Sequence, residues 1–236
     1  MELLLLSNST MPGESFVQWP RDYVSNFLQG RQRVAFVPFA ASEDQQDAYA
    51  EKVKQVFAGM GVDLVSLHNV PDPVQALNNS DAVAIGGGNS FLLVRSLYRT
   101  GLMRAIAERV KKGMPYLGWS AGANVACPSI MTTNDMPIVE PPSLRAMHLV
   151  PFQINPHFTE DTIPGHGGES REQRIAEFVQ QNPGLPVLGL REGSLLHAKD
   201  TRISLSGKPM KLFRGARETL VVEPGRVFRM DLSDLK

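Results

Sequence analysis

The chain has 236 residues, 42% of them hydrophobic and 20% charged, and its 24 Lys and Arg balance 24 Asp and Glu. That composition supplies a substantial core and excludes wholesale disorder. A formal net charge of zero excludes a bulk electrostatic drive toward nucleic acid or an anionic membrane.

In chain order, short apolar runs alternate with longer helix-period segments. Residues 3–6 read as a buried strand. Residues 15–29 place Phe16, Val17, Trp19, Tyr23, Val24, Phe27 and Leu28 at mostly helical spacing, with Pro20 near the start. Residues 34–39 form the next strand, and 42–60 a helix with Ser42 and Gln45 at capping-box spacing and Gly61 at its end. Residues 62–67 alternate as a strand, 73–77 suit a short helix, and 82–85 a strand that runs into Gly86-Gly87-Gly88-Asn89. Helices follow over 90–98 and 102–112, then a strand over 115–119, a helix start at 121–126, a helix over 170–181 and a strand over 186–190. Short strand-like runs at 203–205, 211–213, 219–222 and 227–230, separated by Gly and Pro, predict an antiparallel edge. The expected architecture is α/β, a mainly parallel sheet with helices on both faces, in one domain over 1–236. The connection over 128–169 has little periodic pattern and many Pro, Gly, Asn and Thr, and a connection of that length in a compact domain is usually functional.

Gly118-Trp119-Ser120-Ala121-Gly122 matches the Gly-x-Ser-x-Gly elbow in its required setting, after an apolar strand and before a helix. A serine on that turn is pushed out of the sheet. The N–H of Ala121 then faces a developing oxyanion, aided by the positive helix end. A serine hydroxyl needs a base. His157, in Gln153-Ile154-Asn155-Pro156-His157-Phe158, sits where an open sheet places its ligand crevice, and ranks above His68, His148, His166 and His197. His166, in a Gly-rich loop, reads better as a substrate contact. The imidazole needs an orienting carboxylate, and Glu192 and Asp135 are the candidates. Strand-end placement favours Glu192, and the polar run before Asp135 keeps it in play. Gly86-Gly87-Gly88-Asn89 fails the dinucleotide fingerprint because Phe91 stands where Gly or Ala is needed, and the Walker pattern lacks its Lys. The glycines instead suit a second oxyanion donor, the N–H of Gly88, with Asn89 beside it as a substrate contact. Ser170 and Gln173 are spaced as a capping box, and Arg171 at that helix start, beside a Gly-rich loop, is placed to grip a carboxylate. Cys127 reads as a core thiol.

A lone cysteine forms no internal disulfide and points to a reducing compartment. No Cys/His cluster has structural-zinc spacing. Glu2 stands where a signal peptide wants a base, the apolar run after it is short, and no stretch approaches the roughly 18 to 20 apolar residues of a membrane span. A cytoplasmic protein that needs neither metal nor organic cofactor is expected.

The chain resembles the peptidase E and cyanophycinase group of serine peptidases over nearly its whole length. The resemblance rests on Leu3-Leu4-Leu5-Leu6-Ser7-Asn8-Ser9-Thr10, Ile85-Gly86-Gly87-Gly88-Asn89, Gly118-Trp119-Ser120-Ala121-Gly122-Ala123-Asn124, Thr132-Thr133-Asn134-Asp135-Met136-Pro137-Ile138-Val139, Gln153 to Phe158 and Glu169-Ser170-Arg171-Glu172-Gln173-Arg174. It implies a flavodoxin-like sheet, as in class I glutamine amidotransferases, and hydrolysis of Asp-Xaa dipeptides by a monomer or homodimer. It matches Ser120 to the nucleophile, His157 to the base, Asp135 and Glu192 to acids assigned as third member, and Gly88 and Ala121 to the oxyanion donors. It matches Arg171 to the group that holds the acidic side chain, and Glu169 is a guess for the free amine. The rival readings are a cyanophycinase-like or β-aspartyl peptidase and a non-catalytic binding module of the same fold.

Overall fold

Leu3, Leu4, Leu5 and Leu6 are all buried because β1 (Glu2–Leu6) lies inside a sheet that helices cover on both faces. The structure, a computed structural model, describes residues 1–235 apart from 163, 164, 166 and 216. Alternate residues of β1 enter different cores, as the two-residue strand period requires. Leu4 and Leu6 meet α1 (Arg21–Leu28) and α2 (Gln46–Ala58), while Leu3 and Leu5 face the layer of α3 (Pro73–Asn78), α4 (Ser90–Arg99) and α5 (Leu102–Lys111).

The large sheet also contains β2 (Arg33–Val37), β3 (Asp63–Ser66), β4 (Ala82–Ile85) and β5 (Tyr116–Trp119), followed by the short α6 (Ala121–Asn124). Its parallel part runs β3-β2-β4-β5-β1, the flavodoxin-like order with the N-terminal strand in fifth place. Beyond β1 it continues antiparallel through β8 (Ser194–Lys199), β9 (Arg202–Gly207) and β12 (Val227–Arg229). The α/β layering is as expected.

Four features differ from expectation, the first two for local reasons. The helix of 15–29 begins only at Arg21, because Val17 has φ +58 and Pro20 takes the N-cap position; Phe16, Val17 and Trp19 are apolar because a loop packs them on the core. The Ser42 cap does not form, and a 3₁₀ turn over Glu43–Gln45 precedes α2. β8 has no period-two signature because it is buried on both faces between β1 and β9. Finally, β6 (Gln153–Phe158) and β7 (Val187–Arg191) leave the large sheet. They form a four-stranded sheet with β10 (Met210–Phe213) and β11 (Leu220–Val222), in the order β11-β10-β7-β6. One face of this small sheet, through Ile154, Leu188, Leu190 and Leu212, joins the core of the large sheet. The other carries α7 (Arg171–Gln181), whose Ile175 and Val179 pack on Phe158, Val187 and Phe213. The expected capping box of α7 is formed by Ser170 and Gln173.

No described helix is long and apolar enough to cross a membrane. Cys127 is buried, its Sγ accepts from the Ile154 N–H at 3.2 Å, and burial pushes its thiol well above the ordinary range. It is a core thiol.

Candidate active site

The carboxyl ends of β1, β2, β4 and β5 open onto a cleft of about 1070 Å³ that contains Ser120 and His157. This is the crevice position of an open α/β sheet.

The Ser120 turn is sterically over-determined. Ser120 sits at φ +54, ψ −114 between two glycines that admit no side chain. A Cβ on Gly122 would lie 2.1 Å from the Ile85 carbonyl oxygen, and one on Gly118 2.4 Å from that of Gly122. The turn therefore closes only with glycine at both places, and the strain at Ser120 lifts its side chain out of the sheet. On the next strand, a Cβ on Gly87 would come 2.9 Å from that of Ser120, and one on Gly88, at φ +135, 2.4 Å from the Ala40 oxygen. Glycine at both positions lets this loop lie against the elbow. The N–H groups of Gly88 and Ala121 make no hydrogen bond to a described residue.

Ser120 Oγ and His157 Nε2 are 2.9 Å apart, and His157 Nδ1 and Glu192 Oε1 2.7 Å. In the tautomer that donates from Nδ1 to Glu192, Nε2 accepts from the hydroxyl. His157 sits at φ +53 where the β6–β7 register shifts between Asn155 and Phe158, and this kink turns the ring away from the ladder. Glu192 follows β7 directly. Of the rival histidines, His68 bonds Ser66 and Asp47, and His197 bonds Glu2.

Asp135 is placed elsewhere. Its Oδ2 accepts from the N–H and hydroxyl of Ser90, both at 2.7 Å, and from Thr133 Oγ1 at 3.0 Å. It thus stabilises the start of α4 and lines the cleft, while Glu192 holds the imidazole. Asn89, expected as a substrate contact, is seen here in a capping role. Its Oδ1 caps α4 by accepting from Phe91 and Leu92 N–H, and one Nδ2 hydrogen is donated to the Met136 carbonyl. Arg171 donates through Nη1 to the His157 carbonyl at 2.6 Å and lines an adjoining hollow of about 290 Å³ that shares Asp135 with the cleft. Burial holds its guanidinium below the usual range, and the charge of Glu192 opposes that shift. Glu169 reaches Arg174 at 3.9 Å and lines neither hollow. His166 lies outside the described residues.

The family model for peptidase family S51 matches residues 3–206. The chain belongs to peptidase family S51. Among its S51 relatives it is 47% identical to a Peptidase E of Nostoc sp. strain PCC 7120, over 92% of this chain and 90% of that one. It is 44% identical to Peptidase E of Salmonella typhimurium strain LT2, over 97% of this chain and the whole of that one. The crystal structure of a peptidase from an acI-B1 Actinobacterium superposes with a TM-score of 0.72 over 97% of this chain and 96% of that one; at 17% identity this is a likeness of fold.

Sequence reasoning passed over two side chains of this S51 site. Tyr49 Oη accepts from the Gly87 N–H at 3.0 Å and from the Trp119 indole at 2.9 Å, joining the two loops that carry Gly88 and Ser120. Burial drives its phenol far above the ordinary range, so it stays protonated. Its one sequence signal is a tyrosine on the inward face of α2. Lys52, one turn further on, lies 4.6 Å over the Phe16 ring and is the one lysine or arginine among the described residues lining the cleft. Nothing in the sequence separates it from Lys54, the other lysine of that helix.

Proposed function

We propose that this S51 peptidase is a serine dipeptidase that hydrolyses Asp-Xaa dipeptides through an aspartyl-enzyme ester. The observation that carries the reading is the hydrogen-bonded line Ser120–His157–Glu192, whose Ser120 and His157 line one cleft with Gly88; the N–H groups of Gly88 and of Ala121, next after Ser120, are uncommitted. Ser120 Oγ attacks the peptide carbonyl as His157 Nε2 takes its proton, and the N–H groups of Gly88 and Ala121 receive the oxyanion. The imidazolium, held by Glu192, protonates the leaving amine. Water then repeats the sequence on the ester, and no step calls for a metal or organic cofactor. Arg171 receives the aspartyl carboxylate. The substrate ammonium faces Asp135, whose Oδ2 is committed to Ser90 and Thr133 and whose Oδ1 bonds no described residue. The name Peptidase E borne by relatives at 44–47% identity supports this reading.

The deciding assay compares Asp-Leu with Glu-Leu, Asn-Leu, Leu-Leu and β-linked Asp-Leu. Cleavage confined to α-linked Asp-Leu is expected. Preference for the β-linked isomer would move the assignment to a β-aspartyl peptidase. Turnover of none of the five would leave a binding protein. Arg171→Ala is expected to cost about 2–5 kcal/mol in kcat/KM on Asp-Leu through loss of a desolvated charge pair, and far less on Leu-Leu. A selective loss in Lys52→Ala with none in Arg171→Ala would transfer the carboxylate to Lys52.

A further inference from the structure

Ser120 follows β5 of the large sheet, whereas His157 and Glu192 belong to β6 and the end of β7 in the small one. The three groups are therefore aligned only if the two sheets hold a fixed register. Apolar packing between the sheets is non-directional and does not fix a hydrogen-bonding position to a fraction of an ångström. Asn124 Nδ2, on the helix after Ser120, donates to the Ile154 carbonyl of β6 at 2.8 Å, but the polar links that reach His157 and the 190–193 stretch around Glu192 from the large sheet include a group at one segment, the end of β1. The Leu6 carbonyl accepts from the Ser120 N–H at 3.0 Å. Ser7 Oγ accepts from the His157 N–H at 2.8 Å and donates to the Leu190 carbonyl at 2.7 Å. Asn8 Oδ1 accepts from the N–H of Gly193, next to Glu192, at 2.9 Å, and its Nδ2 donates to the Thr10 carbonyl at 2.8 Å. Ser7 and Asn8 are 0% and 2% exposed, so an amide deprived of either side chain gains no water in exchange.

We propose that Ser7, seconded by Asn8, is a positioning residue that registers His157 and Glu192 on the small sheet against Ser120 on the large one. The inference rests on the serine-peptidase reading above. His157 is the residue most in need of such a link: at the kink of β6 its N–H has left the ladder, and the Ser7 hydroxyl is the partner it finds. The same hydroxyl binds the last turn of chain before Glu192, through Leu190, so one side chain sets both the base and its acid. Ser7 and Asn8 stand in the N-terminal run that marks the family resemblance, and this role accounts for polar residues at the end of an otherwise leucine strand.

The test uses the full chain. Wild type is assayed on Asp-Leu and labelled with a fluorophosphonate; failure in both removes the serine-peptidase reading before Ser7 is at issue. With wild type active, Ser7→Ala is expected to lower kcat about 10- to 100-fold, the cost of an ångström-scale misplacement, with KM within about threefold. Ser7→Cys, which keeps a weak donor and acceptor, should fall between. Ile203→Val, a core change in β9 remote from these links, sets the cost of lost stability alone and should leave kcat within about twofold at full folding. Ser7→Ala with kcat within twofold of wild type would overturn the proposal. So would an equal kcat loss in Ile203→Val, or failure of both Ser7 variants to fold, since the hydroxyl would then be a requirement of folding.

Discussion

Ser120→Ala is expected to lower kcat by roughly 10⁴- to 10⁶-fold while the protein stays folded. The substitution keeps the Cβ and removes only the hydroxyl. The strain of the turn, at φ +54, is held by Gly118 and Gly122 and by the Ile85 and Gly122 carbonyls against them, none of which involves the Ser120 side chain beyond Cβ. The one bond lost is that to His157 Nε2 at 2.9 Å, on a side chain that is only half-buried, so the stability cost is small. The Gly88 and Ala121 amides stay in place, and the residual rate over water reports their share. Asp-Leu hydrolysis and thermal unfolding of the same preparation check both halves. Turnover near wild type would remove Ser120 as nucleophile and leave the elbow as a Gly-rich turn.

Glu192→Gln should lower kcat by roughly 10³- to 10⁴-fold with little change in KM. The carboxylate oxygen 2.7 Å from His157 Nδ1 accepts a proton that Gln can accept only in one of its two amide orientations. In the other orientation the Gln amide donates to Nδ1, the proton moves to Nε2, and the ring can no longer take one from Ser120. The charge that would stabilise the imidazolium is lost in either case. Asp135→Asn separates the two acids: acting on the ammonium and on the start of α4, it should raise KM. A low-field imidazole proton signal from Nδ1 should persist in Asp135→Asn and vanish in Glu192→Gln. The reverse pattern would give the orienting role to Asp135.

Much of the site was legible in the sequence because its signals are local. The elbow is five residues whose two glycines answer to carbonyls within touching distance. The α7 cap is a side-chain pair three residues apart. Glu192 follows β7, and a strand end can be read from where an apolar run stops; the run before His157, over 149–152, is not a strand, and His157 lies within β6 at its kink. Asn89 has a second role that the sequence did not reveal, because capping and ligand binding ask the same polar residue of a loop. Its bonds to Phe91, Leu92 and Met136 show the cap only in the folded chain. Lys52 carried no signal and Tyr49 only that of an inward tyrosine, since a helix face does not say which cleft it borders.

By itself, then, the sequence determined the layered α/β architecture, the elbow and the short set of residues from which a nucleophile, base and acid could be drawn, because periodicity and steric exclusion act over a few neighbouring residues. The tertiary structure alone decided that Glu192 and not Asp135 meets the imidazole, and that β6 and β7 leave the parallel sheet. It also decided that β8, buried on both faces, inserts beside β1 and carries the chain from one sheet to the other. Those outcomes turn on hydrogen-bond partners far apart in the chain, such as Ser7 with His157 and Leu190, and no local pattern specifies a partner across that distance.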